Sequence, residues 1–241
     1  MDRKEEISAA YRSLGKAHSL YDGQMLGNTV TGRWMLKHIW QMTREDALSY
    51  PASVFSCIPA DFSGKLLEVP VGTGVLSMPV WETMQKADIT CLDYSAKMLQ
   101  AAKERARERR ISHIRFMQGD VGALPFAEED FDIVVSMNGF HAFPDKEAAW
   151  KEVFRVLKSG GLFCGCFYVK QVNPHTDRWI KRFHEKHGFF TPPYETLGSL
   201  KERLESMYAD VEVSNVKSIA VFQCVKQNTY KRTRGRKTSV V

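Results

Sequence analysis

The sequence predicts a doubly wound α/β fold, in which helices cover both faces of a mostly parallel sheet. Three observations support this prediction. Five short apolar segments alternate with helix-like segments between residues 65 and 169, and such alternation requires crossovers between parallel strands. These segments show little polar alternation, as a sheet buried on both faces requires. Two further strand-like segments near the end have a very short join, which predicts an antiparallel closing pair.

An N-terminal helical cap is predicted over residues 1–60. Apolar residues recur at near-helical spacing from Glu5 to Leu20 and again from Thr31 to Met42. Thr43, followed three residues later by Asp46, is typical of a helix start, because a hydroxyl and an acid can satisfy free backbone donors.

The central domain is predicted over residues 61–227. Its expected strands are Leu66–Val71, Ile89–Asp93, Ile114–Gln118, Phe131–Met137, Leu162–Val169, Val211–Ser218 and Ile219–Lys226. Its expected helices are Val75–Lys86, Ser95–Arg110, Lys146–Leu157 and Glu195–Met207, the third of them stopped by Ser159-Gly160-Gly161. An aromatic, histidine-rich insertion at about residues 171–194 interrupts the alternation. We expect this insertion and the N-terminal helices to form a lid over a binding site.

The charge distribution argues against a nucleic-acid-binding body. The net charge is +6, but six of the 34 basic residues and none of the 28 acids lie between Lys226 and Val241. The rest of the chain is therefore neutral, and residues 228–241 are predicted to be a solvated basic tail.

The compartment is predicted from the chain start, the apolar runs and the cysteines. The charged start is not that of a signal peptide, and no apolar run approaches the roughly 20 residues that span a bilayer. Four of five cysteines lie in apolar strand-like runs, which predicts reduced thiols in a cytoplasmic protein. Cys164 and Cys166 lack a second ligand pair, so no metal site is expected.

The strongest chemical signal is a glycine loop after the first strand. Glu68 lies near the tip of that strand, and Gly72 and Gly74 follow before a predicted helix. Glycines allow a sharp turn and close approach of a ligand, while a helix start offers free N–H groups to a carboxylate and Glu68 suits an ammonium. Gly72-x-Gly74-x-x-Ser77 also partly matches a dinucleotide fingerprint. However, Glu68 would repel a pyrophosphate, and the third glycine is absent.

Three further signals follow the next strands. Asp93 ends the second strand and could bind both hydroxyls of a ribose, or merely cap the following helix. Gly119-Asp120-Val121 follows the third strand and could read an adenine edge, or form a plain turn. Asn138 and His141 follow the fourth strand. Because ligands of open α/β sheets bind at the carboxyl ends of the strands, all four signals are expected at one site.

This pattern resembles the class I, seven-stranded S-adenosylmethionine-dependent methyltransferases, particularly the small-molecule branch typified by ubiquinone and menaquinone methylases. The resemblance runs from about Lys65 to Val169. Besides the glycine loop, it rests on Gly119-Asp120 leading to Leu124-Pro125-Phe126, on Phe131-Asp132 and on Arg155-Val156-Leu157-Lys158-Ser159-Gly160-Gly161. The family usually has Pro where Ser159 stands and Gly where Pro70 stands. Pro70 can remain only if its missing amide is not a needed donor.

The resemblance implies a Rossmann-like, seven-stranded sheet with an antiparallel last strand. It also implies S-adenosylmethionine as cofactor, S-adenosylhomocysteine as product and a small-molecule acceptor. The implied cofactor-binding residues are Glu68, Val69, Pro70, Gly72 and Gly74 near the methionine end, Asp93 at the ribose, Tyr94, Met98, Gly119, Asp120 and Val121 around the adenine, and Asn138 facing both ligands. A monomer or a homodimer is expected, without nucleic acid or a membrane span.

Catalytic residues are hard to assign, because the cofactor carries the reactive group. His141 is the candidate base or acceptor-orienting group, and its alternative role is packing in a loop. His184 and His187 could share a helix face, but they have no acid partner at metal-ligand spacing. Tyr11 and Tyr21 could close over the cofactor or belong to a helical core. The alternatives kept open are an RNA or DNA methyltransferase, a nicotinamide-dependent oxidoreductase and a non-catalytic cofactor-binding regulator.

Overall fold

The computed structural model describes residues 18–227, so the basic tail, Tyr11 and most of the first predicted helix lie outside the described residues. The strands are β1 (Lys65–Glu68), β2 (Asp88–Asp93), β3 (Ile114–Gln118), β4 (Phe131–Met137), β5 (Leu157–Tyr168), β6 (Tyr208–Val216) and β7 (Ile219–Lys226). They form a seven-stranded sheet in the order β3-β2-β1-β4-β5-β7-β6. The last strand, β7, runs antiparallel to both β5 and β6, while the pairs from β3 to β5 are parallel. The predicted fold class is therefore confirmed.

The helices are α1 (His18–Leu26), α2 (Val30–Met35), α3 (Arg44–Phe55), α4 (Met78–Trp81), α5 (Ala96–Glu108), α6 (Lys146–Val156), α7 (Pro174–Trp179) and α8 (Leu197–Met207). Two π-helical turns, Leu36–Trp40 and Ile180–Glu185, continue α2 and α7. In the part of the chain that the structure describes, no helix is long and apolar enough to cross a membrane.

The centre of the sheet is buried on both faces, as its apolar strands predict. Leu66 of β1 packs into one core cluster and Leu67 into another, because successive side chains of a strand point to opposite faces. The cluster around Leu66 includes residues of α3, α4 and α5, and the cluster around Leu67 includes residues of α6 and α8. This covering leaves the carboxyl ends of the strands as the open edge of the domain.

Several local predictions hold. Thr43 caps α3, where its hydroxyl accepts from the Asp46 amide at 3.0 Å and the Asp46 carboxylate accepts from the Thr43 amide at 2.8 Å. Cys91, Cys164, Cys166 and Cys224 are buried, and all five cysteines are free thiols.

Several predicted elements differ from the structure in their bounds. The first strand ends at Glu68 instead of Val71, and the sixth runs over Tyr208–Val216 instead of Val211–Ser218. The segment Val75–Lys86 forms only the four-residue α4, because its backbone closes tighter turns with bonds from Val80 to Ser77, from Thr83 to Val80 and from Met84 to Trp81. The fifth strand begins at Leu157 instead of Leu162, since Leu157 already pairs with Phe131 of β4 before a register shift.

Candidate active site

A pocket of about 1010 Å³ opens at the carboxyl ends of β1, β2 and β4. All twelve residues predicted to bind a cofactor line it, although their binding role stays a prediction. They are Glu68, Val69, Pro70, Gly72, Gly74, Asp93, Tyr94, Met98, Gly119, Asp120, Val121 and Asn138. The topology explains why residues from four separate turns meet here, since parallel strands end at one edge of the sheet.

The glycine loop forms a cradle whose conformation depends on its glycines. Gly72 and Gly74 have φ values of 56° and 68°, in the left-handed region that favours glycine. A Cβ on Gly74 would lie 2.8 Å from Met78 Cγ, whereas a Cβ on Gly72 would meet only Tyr21 Oη, at 4.0 Å. Gly72 therefore faces open space beneath Tyr21.

The expectation of a free helix start behind this loop is wrong. The Gly74 amide already donates to the Val71 carbonyl at 2.9 Å, and the first helical residue is Met78. A four-residue helix that begins four residues after Gly74 supplies little dipole at the loop. An anionic ligand group here would depend on individual loop amides.

Glu68 is a buried carboxyl at the base of the pocket. Trp81 Nε1 donates to its Oε2 at 2.7 Å, and Cys91 Sγ donates to the same oxygen at 3.4 Å. Burial raises the pKa of Glu68 to about 7, although the bond from Trp81 acts in the opposite direction. Such a carboxylate is poorly compensated by its surroundings and would be stabilised by a ligand ammonium.

Asp93 ties the glycine loop to β2. Its two carboxylate oxygens accept from the Gly72 amide and from the Ser95 amide, both at 2.8 Å. Ser95, not Asp93, caps α5, with its hydroxyl accepting from the Met98 amide at 3.4 Å. Burial raises the pKa of Asp93 to about 6, opposed by these two backbone bonds. Asp93 therefore shapes the loop as well as lining the pocket.

Pro70 lies between two residues whose backbone amides are already hydrogen-bonded. The Val69 amide donates to the Val135 carbonyl at 2.9 Å, and the Val71 amide donates to the Leu92 carbonyl at 3.0 Å. The Val69–Pro70 peptide bond is cis, and the proline ring packs against Gly139. The main chain on both sides of Pro70 is thus held by β4 and β2 without an amide at residue 70.

Asp120 and Asn138 hold the turns after β3 and β4. Asp120 Oδ1 accepts from the Gly122 amide at 2.9 Å. Asn138 has a φ of 54°, a left-handed conformation that asparagine tolerates better than most residues, and its amide donates to the Cys166 carbonyl at 2.7 Å. Asn138 Nδ2 points toward Tyr50 Oη at 3.5 Å, so it reaches the N-terminal helices.

A second pocket, of about 1540 Å³, lies beyond Asn138. It shares Tyr21 and Asn138 with the first pocket, and its other walls come from the N-terminal helices, the loop after β4, the insertion and the start of β7. Those walls are Met25, Thr31, Met35, Leu36, Trp40, Met42, Tyr50, His141, Phe183, His184, His187, Phe189, Phe190 and Ile219. Among residues 18–227, none that lines the pocket is Asp, Glu, Lys or Arg.

His141 is buried at the wall of the second pocket. Its Nδ1 accepts from the Tyr168 amide at 3.1 Å, and its ring stacks on Phe190 with centroids 3.9 Å apart. Burial, followed by the nearby His184 and Lys146, holds the pKa of His141 well below its ordinary value. With Nδ1 accepting, neutral His141 carries its proton on Nε2 and is a donor there, which suits orientation of an acceptor better than proton abstraction.

His184 and His187 line the same pocket. Burial, followed by His187, lowers the pKa of His184 to about 4, so His184 is neutral at pH 7. The His187 ring bonds to the Phe183 carbonyl at 2.7 Å. Within residues 18–227, no group of three or more His, Cys, Asp or Glu side chains is arranged to hold a metal ion.

One feature of the site was missed at the sequence level. Asp22 of α1 accepts from Thr73 Oγ1 at 2.6 Å and forms an ion pair with Arg105 of α5. Arg105 Nε also donates to the Thr73 carbonyl at 3.0 Å. These three residues fasten α1 to the glycine loop. Thr73 and Arg105 lie 51 and 83 positions after Asp22, so no local sequence pattern indicates the contact.

The strand order β3-β2-β1-β4-β5-β7-β6, with β7 antiparallel, is that of a Rossmann-like seven-stranded sheet, and the first pocket lies at the carboxyl ends of its strands. Residues 66–161 match the family described as a methyltransferase domain.

Known relatives extend this comparison. The chain is 32% identical over 150 residues to 2-methyl-6-phytyl-1,4-hydroquinone methyltransferase 2 of Oryza sativa subsp. japonica, covering 61% of this chain and 38% of that protein. It is 37% identical over 103 residues to demethylmenaquinone methyltransferase of Lactococcus lactis, covering 42% and 41%. The chain thus spans well under two thirds of the curated relatives it matches.

A solved structure shows the same fold over most of the chain. It is a Haemonchus contortus phosphoethanolamine N-methyltransferase 2 in complex with phosphomonomethylethanolamine and S-adenosylhomocysteine. The TM-score is 0.69 at 14% identity, with 95% of this chain and 61% of that chain covered.

Proposed function

We propose that this protein transfers the methyl group of S-adenosylmethionine to a small molecule held in the second pocket. The observation that carries the proposal is the junction of the two pockets. Tyr21 and Asn138 line both of them, so ligands in the two pockets would meet at these residues. Methyl transfer is an in-line displacement that requires such a meeting point.

The residues of the first pocket fit the cofactor. Buried Glu68 suits the ammonium of its amino-acid end, and the open space above Gly72 admits a closely approaching ligand. Asp93 suits the ribose hydroxyls, and Asp120 with Val121 suits the adenine edge. Tyr94 and Met98 supply apolar surface beside the ring.

When bound, S-adenosylmethionine supplies an electrophilic methyl group on a sulfonium. The chain's own residues position the acceptor and exclude water. Asn138 lies at the junction, and His141 offers an Nε2–H donor to a polar atom of the acceptor. We propose that the N-terminal helices and the insertion, residues 171–194, act as the lid, since both provide walls of the second pocket.

The acceptor that this pocket suits best is an uncharged, ring-containing molecule with a polar substituent. The walls that the structure describes are mainly aromatic and aliphatic and include no Asp, Glu, Lys or Arg, while Tyr50, Asn138 and His141 provide polar atoms. The hydroquinone and the demethylmenaquinone in the names of the two curated relatives support the same class.

The decisive experiment combines calorimetric titration with a methyl-incorporation screen. The purified chain is titrated with S-adenosylmethionine and with NADH, and then incubated with labelled cofactor and fractionated metabolite extracts. We expect S-adenosylmethionine binding and transfer of label to an uncharged aromatic compound. Binding of NADH alone would support an oxidoreductase instead, and cofactor binding without turnover in any fraction would support a non-catalytic regulator. Label appearing in RNA or DNA would favour the nucleic-acid alternative.

A further inference from the structure

An apolar groove of about 930 Å³ lies on the outer surface, between α2 and α7 with its following π-helical turn. Three of the residues that line it are large, apolar and exposed: Val30 is 76% exposed, Trp34 50% and Phe183 39%. Trp34 and Trp179 meet edge-on across the groove, with ring centroids 6.4 Å apart. Large apolar side chains that gather in one exposed groove mark an interaction surface.

The N-terminal side of the groove has a regular sequence pattern. Val30 and Trp34 are four residues apart, and the exposed cations Arg33 and Lys37 each stand three residues after one of them. Residues at spacings of three, four and seven share one side of a helix. This side of the groove therefore combines an apolar centre with positive charge.

The insertion repeats the same pattern. Trp179 and Phe183 are four residues apart, and the exposed cations Arg182 and Lys186 each follow one of them by three residues. The two segments are separate in sequence, yet their apolar members form one groove. The repetition gives the groove positive charge from both of its sides.

The local charge differs from that of the whole body. Residues 28–42 and 178–188 contain six Lys and Arg and a single acid, Glu185, whereas the chain before its basic end is neutral. The six cations are exposed, and within residues 18–227 none of them forms an ion pair. They are Arg33, Lys37, Arg178, Lys181, Arg182 and Lys186.

We propose that this surface docks on an anionic lipid bilayer, with Val30, Trp34 and Phe183 entering the interface and the cations facing lipid phosphates. A face with exposed Trp and Phe and a basic rim is the pattern of an interfacial membrane contact, and tryptophan favours the water–lipid boundary. A protein partner would require no such concentration of uncompensated cations around an apolar centre. The inference goes beyond the proposed methyl transfer and does not depend on it.

The groove also adjoins the second pocket. Thr31, Met35 and Phe183 line both cavities. A docked face would therefore lie beside the pocket in which an apolar molecule from the bilayer could be received. The shared walls place the proposed docking surface next to the second pocket, which an incidental apolar patch would not require.

Vesicle sedimentation with the full chain tests the docking. Vesicles of phosphatidylcholine alone are compared with vesicles that contain equal amounts of phosphatidylglycerol, at low and high salt. We expect binding only to the anionic vesicles, weakened by salt. Trp34→Ala and the double variant Lys181→Ala/Arg182→Ala should each weaken partitioning roughly tenfold or more.

Two matched controls separate this surface from general effects. Leu48, 47% exposed, lies outside the groove, and Leu48→Ala should bind as the wild type does. Lys103→Ala/Arg107→Ala removes two exposed cations from α5 and should have little effect. Lipids with brominated chains should quench part of the tryptophan fluorescence in the wild type and much less of it in Trp34→Phe.

Three results would overturn the proposal. Trp34→Ala could bind vesicles as well as the wild type does. Deletion of residues 228–241 could abolish binding while the groove is intact, which would assign the contact to the basic tail. Sedimentation equilibrium could reveal a dimer that Trp34→Ala dissociates, and the groove would then be an interface between two copies of this chain.

Discussion

Gly139 and Pro70 fit against each other where β1 and β4 end, and a Cβ on Gly139 would lie 2.5 Å from Pro70 Cδ. The same Cβ would lie 2.6 Å from Phe143 Cζ and 2.9 Å from Ser136 Oγ. A proline in the glycine loop is therefore accommodated by a glycine in the loop after β4. Pro70 is the residue at which this loop departs from the pattern of the family it resembles. Gly139, which packs against Pro70, has no side chain that would clash with it.

We predict that Gly139→Ala lowers the free energy of unfolding by about 1–3 kcal/mol, as expected for overpacking at a buried site. Pro70→Gly in the same chain should recover part of this loss, because it removes one of the three close contacts. Urea unfolding of the two single variants and the double variant measures the coupling. Effects that simply add, to within about 0.5 kcal/mol, would show that the two positions are independent.

Asp93→Ala should weaken S-adenosylmethionine binding at least tenfold, about 1.4 kcal/mol. The variant removes the expected ribose contact and also releases the Gly72 amide from its acceptor. Calorimetric titration measures the loss. Asp46→Ala is the matched control, since it removes another backbone-bonding carboxylate, at the start of α3, outside both pockets. Unchanged affinity in Asp93→Ala would refute the ribose assignment.

Glu68 should make the folded protein less stable as the pH rises. Burial raises its pKa from 4.5 to about 7, so between these values the folded state holds a proton that the unfolded chain has lost. Stability linked to Glu68 therefore falls through this window, by about 3 kcal/mol at most, and is constant above it. Asp93, with its pKa raised from 3.8 to about 6, adds a change of the same sign at lower pH.

Glu68→Gln isolates this effect, because it keeps the shape and removes the titration. In urea unfolding at about pH 5 and about pH 8, the wild type should lose more stability with rising pH than the variant does. Equal pH dependence would contradict a buried, titrating Glu68. In the wild type, S-adenosylmethionine affinity should weaken as the pH falls below about 7, because protonated Glu68 no longer attracts an ammonium.

His141→Asn should lower turnover roughly 10–100-fold, about what a lost hydrogen bond to a polar acceptor atom costs. The asparagine oxygen can still accept from the Tyr168 amide, whereas the Nε2–H donor is lost. Steady-state kinetics with the acceptor from the screen measure the effect. Because burial holds the pKa of His141 far below its ordinary value, its ionisation should not appear in the rate profile near neutral pH. If the rate of the wild type did titrate near neutral pH and the rate of His141→Asn did not, His141 would act as a general base.

Asp22→Ala should loosen α1 and weaken S-adenosylmethionine binding several-fold, since it breaks the links to Thr73 and Arg105. Hydrogen exchange over residues 18–26 should rise in the variant, and calorimetry should report the affinity. Arg109→Ala is the control, because it removes only the surface ion pair with Glu82. It should change the free energy of unfolding by about 1 kcal/mol or less. Unchanged exchange in Asp22→Ala would show that other contacts hold α1.

The sheet could be predicted because its strands carry strong local signals. Phe131–Met137 and Ile114–Gln118 match the prediction, since an apolar run between turn residues is sufficient for a parallel strand. Only Phe131–Met137 is buried, because Ile114–Gln118 lies at the edge of the sheet. The four strand-end turns could be gathered into one pocket by topology alone. The short α4 could not be predicted, because Val75–Lys86 is apolar enough for a helix and its tighter turns depend on tertiary packing.

The contacts between residues far apart in the chain could not be predicted from the sequence either. Asp22 and Arg105 have ordinary surroundings in the chain, and Tyr50 reads as a helical core residue until Asn138 is placed beside it. The tautomer of His141 follows from one backbone amide, that of Tyr168, which no motif records. Such details require the packed structure.

Tyr21 and Asn138 belong to the walls of both pockets, so each ligand completes the enclosure of the other. If a ligand in one pocket changes the affinity of the other pocket for its ligand, the linkage is reciprocal. Whatever factor the cofactor imposes on acceptor affinity, the acceptor imposes on the cofactor. The demethylated product would occupy the same walls as its precursor, so its departure and the arrival of a new acceptor are coupled steps of one cycle.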